Sequence, residues 1–323
     1  QGLMRLRSPL LAVLVLLMVS IFGPGCDGNM TDGDLPLREE PFRVRPFTAT
    51  GPAVCYGPHR DGQRPGGVDP SVAEMREDLA ILTQHWKMIR IYSSASIAWG
   101  LLEEIRTAGL DMKVVLGVWI APEGDDPGAD HNREANLREV EAGIKLANEY
   151  RDIVVAVSVG NETQIYWSAH TTPEQKLVEY IRMVRAAVKQ PVTTADDFNF
   201  WNKPESRLVA GECDFILMHA HPMWNGVQLE EAVLWLNEQV NVVRALHSSH
   251  KVVLGETGWA TSVHTEGEQA RLIKGVPGEA EQKRFHEESL VWAEETGMVM
   301  FTFEVFDENW KGGEHLDEVE KHW

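Results

Sequence analysis

The sequence predicts a single (β/α)8 TIM barrel, and three observations predict it. From residue 53 onward, short apolar β-branched runs alternate with helical patterns. The repeat is regular: 94 residues separate Glu162 from Glu256, three βα units of about 31 residues each, and eight such units fill a barrel of roughly 250 residues. No GxGxxG or GxxxxGK loop follows an early strand, as a nucleotide-binding open sheet would want.

The eight strands read in order as AVCYG (53–57), KMIRIYS (87–93), MKVVLGVWI (112–120), the run from Val154 to Glu162, PVTTADD (191–197), DFILMHAHP (214–222), KVVLGETGW (251–259) and MVMFTFEVFDE (298–308). Continuous apolar runs of this length suit strands buried on both faces of a parallel sheet. Between them, DPSVAEMREDLAILTQHW reads as a helix capped by Asp69 with Pro70 behind it, and SIAWGLLEEIRTAG as one ended by Gly109. Later helices cover 132–150, 172–189 with Thr172 as cap, 227–247 and 278–297. After Lys311 the chain is too polar for an eighth covering helix. Either residues 35–50 cover that face, or the sequence is truncated at Trp323.

The start of the chain reads as a targeting segment. Arg5 and Arg7 precede PLLAVLVLLMVSIF and then GPGC, which gives a signal peptide over 1–26. Gly25 before Cys26 points to lipoprotein processing, with plain secretion as the alternative. Export and a cell-envelope or extracellular location follow as expectations. Residues 27–50 read as a linker, and 51–323 as the barrel domain.

The chain carries 49 acidic and 30 basic residues, a net charge of −19. That excludes polyanionic partners such as nucleic acid, and leaves contact with a membrane only through a lipid anchor. Cys26, Cys55 and Cys213 do not form a disulfide framework, and the last two are expected as buried free thiols. A monomer without cofactor is expected.

Two strands end in a lone glutamate: VVAVSVGNET places Glu162, and VVLGETGWAT places Glu256. Carboxylates past strand C-termini sit where such barrels keep their chemistry. Two on different strands can flank a glycosidic bond, one as acid and the other as base or nucleophile. Taken singly, either glutamate would read as an ion-pair partner at the barrel rim. Asn161 beside Glu162 can bond a sugar hydroxyl. Arg90 with Tyr92 ends the second strand, and an arginine beside two carboxylates would hold one ionised. Trp119, Trp167, Trp201, Trp224, Trp259 and Trp310 lie at or past strand ends as candidate stacking platforms, with core packing as the alternative. Asp196 and Glu304 are candidate hydroxyl acceptors. His219 and His221 alternate like half of a metal site, but no third ligand has suitable spacing, so no metal is expected. His219 is assigned instead to a carboxylate or a sugar hydroxyl.

The segments GNET, GETGW and FEVFDENWK resemble glycoside hydrolase family 17, the β-1,3-glucanases and glucanosyltransferases. CYGPHRDGQ, RIYS, LGVWI, TTADDFNFW and MHAHPMWNG are similar in order and spacing to its bacterial branch. The resemblance implies a β-glucan substrate and a retaining mechanism, with Glu162 as acid/base and Glu256 as nucleophile. Glu308 and Lys311 match the family's last motif, which supports the nucleophile region, and Tyr56 lies within the first; all three are expected at the substrate. The function expected is hydrolysis of β-1,3-glucan. A β-1,3-glucanosyltransferase and a catalytically silent glucan-binding surface protein are the alternatives.

Overall fold

The computed structural model describes residues 42–124 and 129–323, without the side chains of 129–131. The expected signal peptide, Cys26 and linker residues 27–41 lie outside the described residues. Among the described residues, no helix is long and apolar enough to cross a membrane.

Eight parallel strands close in chain order: β1 (Ala53–Cys55), β2 (Met88–Ile91), β3 (Lys113–Val118), β4 (Val154–Asn161), β5 (Val192–Asp197), β6 (Ile216–His219), β7 (Val252–Thr257) and β8 (Met300–Thr302), with β1 pairing both β2 and β8. The barrel expected from the sequence is therefore present. Around it run α1 (Val72–His85), α2 (Ile97–Thr107), α3 (Ala129–Glu149), α4 (Glu174–Ala187), the one-turn helices α5 (Phe198–Trp201) and α6 (Arg207–Ala210), then α7 (Ala232–Leu246), α8 (Gly267–Leu272) and α9 (Glu279–Thr296). The β-branched strand residues Val54, Val114, Val157, Val192 and Val253 are fully buried between these layers.

Local chemistry moves two helix starts from where the sequence suggested. Ser71, not Asp69, caps α1, in a reciprocal box with Glu74. The Asp69 carboxylate instead accepts from the Ser96 hydroxyl. Before α4, Thr172 accepts from Glu123 N–H and donates to Ala121 C=O, both at 3.3 Å, so its hydroxyl ties down the loop after β3 rather than the helix. Gly109 does end α2, in the left-handed conformation that glycine adopts without strain.

Residues 42–50, read from the sequence as the end of a linker, pack on the floor of the barrel. Arg45 N–H donates to Asp214, and its guanidinium to the carbonyls of Arg185, Val188 and Gln190. Phe47 packs against Phe215 with ring centroids 4.7 Å apart and planes tilted by 35°, and Lys251 donates to the Phe47 carbonyl. This strap lies beneath β5, β6 and β7, so it does not cover the eighth face. There, between α1 and α9, runs an apolar groove of about 570 Å³ lined by Ile81, Trp86, Phe285, Leu290 and Phe306. Beyond β8 the described chain turns across the loops after β6 and β7. Thr261 N–H donates to His322 C=O, and Trp323 is buried against His221 and Phe303.

Candidate active site

The strand C-termini converge on two carboxylates. β4 ends at Asn161, and Glu162 then takes a left-handed backbone (φ 50°), with its N–H on Ala195 C=O at 2.8 Å. A non-glycine residue held there costs on the order of 1–3 kcal/mol, and such residues cluster at functional sites. In register, β6 sets His219 opposite Glu256 of β7. The His219 ring reaches both acids: Nδ1 lies 3.0 Å from Glu162 Oε1, and Nε2 lies 3.3 Å from Glu256 Oε1. An oxygen of Glu162 and one of Glu256 lie within 4.8 Å of each other.

The two acids have unlike surroundings. Glu256 is buried, and its Oε1 accepts from Arg90 Nη1 at 2.5 Å and from the Tyr92 hydroxyl at 2.9 Å. His221 Nε2 stands 3.5 Å from Oε2. Burial alone would raise this carboxyl, but His219, Arg90 and His221 outweigh it and hold it well below the usual range. Burial pushes the Tyr92 phenol up, so it stays a neutral donor. Arg90 spans the site, since Nη2 donates to Asn161 Oδ1 at 2.6 Å. Glu162 is the more open acid, with 29% of its side chain exposed against 8% for Glu256.

A second charged group lies beyond β8. Lys311 Nζ bridges Glu304 Oε1 at 2.6 Å and Glu308 Oε2 at 2.7 Å. Trp310 Nε1–H donates to Glu308 Oε1 at 2.8 Å. Burial opposes ionisation of Glu308, yet the His59 and Lys311 contacts bring it down to about 2. Glu304 is driven the other way, by burial first and then by Glu308. Gly57 makes this arrangement possible, because a Cβ there would strike the Glu308 carboxylate. Gly255 serves the core in the same way, because a Cβ there would press on Leu217 at 2.8 Å.

Four residues assigned to the substrate from sequence face elsewhere. Tyr56 is 1% exposed and its hydroxyl is bonded to Asp78. Trp259 is 1% exposed, stacked near Phe285, with its N–H on Val276 C=O. Trp201 is fully buried and donates to Leu217 C=O. Asp196 is fully buried and accepts from the N–H groups of Gln164 and Asp197, so it shapes the turn after Glu162. Apolar periodicity cannot separate a strand-end indole facing the mouth from one facing the helices. Trp119, half-buried against His170, and Trp224, half-buried with its N–H on Glu320, remain near the mouth. Trp99, Trp167 and Trp310 are the more exposed indoles.

Sequence reasoning missed three groups. From the sequence, His221 is considered only for metal; it follows β6, two residues past His219, and its ring also reaches Glu256. Asp197 caps α5 through Asn199 N–H, and burial with nearby Glu162 lifts it to about 7. Glu320 accepts from both Trp224 and Trp323, and no local pattern announced it.

The sequence model of the BtgE/BtgC glycoside hydrolase domain matches residues 53–323. A glucan 1,3-beta-glucosidase of Arthroderma benhamiae is 29% identical over 276 residues, covering 81% of this chain and 83% of its own. A probable glucan endo-1,3-beta-glucosidase btgC of Aspergillus fumigatus is 27% identical over 263 residues, and the match spans only 36% of that longer protein. An endo-laminarinase from Formosa superposes with TM-score 0.72 at 23% identity, over 84% of this chain and 82% of that one. A family 17 β-1,3-glucanosyltransferase from Rhizomucor miehei gives 0.65 at 24%, over 84% and 91%. The resemblance read from the strand-end motifs holds, and this chain belongs to the BtgE/BtgC glycoside hydrolase family.

Proposed function

We propose that the chain is a retaining glycosidase acting on β-1,3-glucan, with Glu256 as nucleophile and Glu162 as general acid/base. One observation carries this: two strand-end acids lie within 4.8 Å, one buried and held ionised, the other open. Retaining enzymes set their carboxyl groups roughly 5–5.5 Å apart, and inverting ones roughly 6.5–9.5 Å to admit a water. In the first step Glu256 attacks the anomeric carbon while Glu162 protonates the leaving oxygen. In the second, Glu162 takes a proton from water, which displaces Glu256. His219, touching both acids, positions them for this exchange. Arg90 and Tyr92 keep Glu256 charged and oriented.

The glucan substrate is supported by the names of the fungal relatives. The leader read in residues 1–26 supports export. The test is product analysis on laminarin and linear laminari-oligosaccharides, with the anomer first formed read by NMR. Release of the β-anomer supports the reading, and the α-anomer overturns it. Longer oligosaccharides would mark transfer to sugar, and no turnover would leave a binding protein.

A further inference from the structure

We propose that His264, His315 and Asp317 form a binding site for a first-row divalent transition ion, of which Zn²⁺ is the best fit. The three lie on two separate limbs. His264 is in the segment after β7, and His315 and Asp317 are in the stretch that follows Lys311. One ligand atom from each lies within 4.8 Å of the other two. His264 Nδ1 is already 2.8 Å from Asp317 Oδ1, and the two imidazoles stack at 3.9 Å with an interplanar angle of 22°. Two imidazoles and one carboxylate make the donor set that suits zinc and its neighbours in the first row, rather than magnesium or calcium. A tetrahedral ion with bonds of roughly 2.0–2.1 Å wants ligands roughly 3.4 Å apart. His315 and Asp317 are the more exposed members, so rotation of their side chains can close that gap.

Hydrogen bonds made by two buried side chains hold the frame. Gln269 of α8 is buried, and its Oε1 accepts from both His264 N–H (3.1 Å) and Val319 N–H (3.0 Å), one from each limb. Lys321 is buried and spends its ammonium on the carbonyls of Gly313 and His315. The ligands are therefore presented from fixed backbone, although 53 residues separate His264 from Asp317.

The acid pair with His219 also brings three ligand atoms within 4.8 Å. There, however, Arg90 stands 2.5 Å from Glu256, and its fixed positive charge repels a cation. No residue of the proposed site takes part in the proposed chemistry. An ion bound there would tie the segment after β7 to the stretch that ends in Trp323.

Titrating the intact chain with Zn²⁺ alone tests the assignment. One saturable equivalent is expected, with a rise in melting midpoint. The exposed His315→Ala and Asp317→Asn should fold normally and hydrolyse laminarin at the metal-free wild-type rate. Each should weaken Zn²⁺ by at least about 100-fold, beyond the roughly 10–100-fold cost of an outer-shell partner. Cobalt should give the intense visible absorption of a four-coordinate ion, lost in both variants. Absence of saturable binding overturns the proposal. So does an equivalent that survives both substitutions, or one abolished by Glu162→Gln, which would place the ion at the acid pair.

Discussion

Arg90 Nη1 donates to Glu256 Oε1 at 2.5 Å, and both side chains are buried. A buried carboxylate stays ionised only with partners, and beside His219 this contact helps hold the proposed nucleophile charged. Arg90→Lys keeps a cation but loses the fork that also reaches Asn161. It is expected to lower kcat/KM by about 100-fold or more. Weaker stabilisation of the carboxylate raises its pKa, so the acid limb of the kcat/KM profile should move to higher pH. An unmoved limb would show that Arg90 does not set the charge on Glu256.

Lys311 lies between Glu304 and Glu308, and both acids are buried. Lys311→Met would leave the ionised Glu308 carboxylate buried beside Glu304 without its cation. Breaking a buried charge pair costs about 3–5 kcal/mol. A large fall in denaturant midpoint is expected at pH 7. The fall should shrink at pH 4, where protons take over the role of the ammonium. A fall that is equal at both pH values would mean that the lysine contributes packing rather than charge.

The fold was legible because its signal repeats. Eight apolar runs at about 31-residue spacing leave little alternative to a closed barrel, and Glu162 and Glu256 stood out as acids at the ends of such runs. The surroundings were legible only where strand alternation fixes direction, as for Arg90, Tyr92 and His219. Tyr56, Trp201 and Trp259 were misplaced because composition says nothing of which way a side chain turns once a strand has ended. Glu320 and the strap around Arg45 were invisible because their partners lie far away in sequence: Arg45 bonds Asp214 across 169 residues, and Glu320 bonds Trp224 across 96.

Asp197 gives a pH signature of its own. Burial, with Glu162 nearby, raises it from 3.8 to about 7. Between those values the folded chain holds a proton that the unfolded chain has released. Its contribution to stability is therefore present below about pH 4 and is lost as pH rises toward 7. Asp197→Asn carries no such titration. The difference in unfolding free energy between wild type and variant should thus change steadily across this window, with the wild type losing ground as pH rises. Urea denaturation at several pH values measures it, and a flat difference would refute the raised carboxyl.

The two acids should fail differently when removed. Glu162→Ala loses proton donation, which contributes roughly 10²–10⁴-fold. A 2,4-dinitrophenyl laminari-oligosaccharide leaves without that proton, so its first step should survive and the glycosyl-enzyme should accumulate. Azide can then attack the intermediate from the face the leaving group vacated, which gives the β-glycosyl azide and restores turnover. Glu256→Ala forms no such intermediate. Azide entering the space of the lost carboxylate attacks from the opposite face and gives the α-azide. The anomeric configuration of each azide, read by NMR, decides the assignment. Exchanged outcomes would reverse the roles of Glu162 and Glu256, and α-azide from both variants would exclude the covalent intermediate.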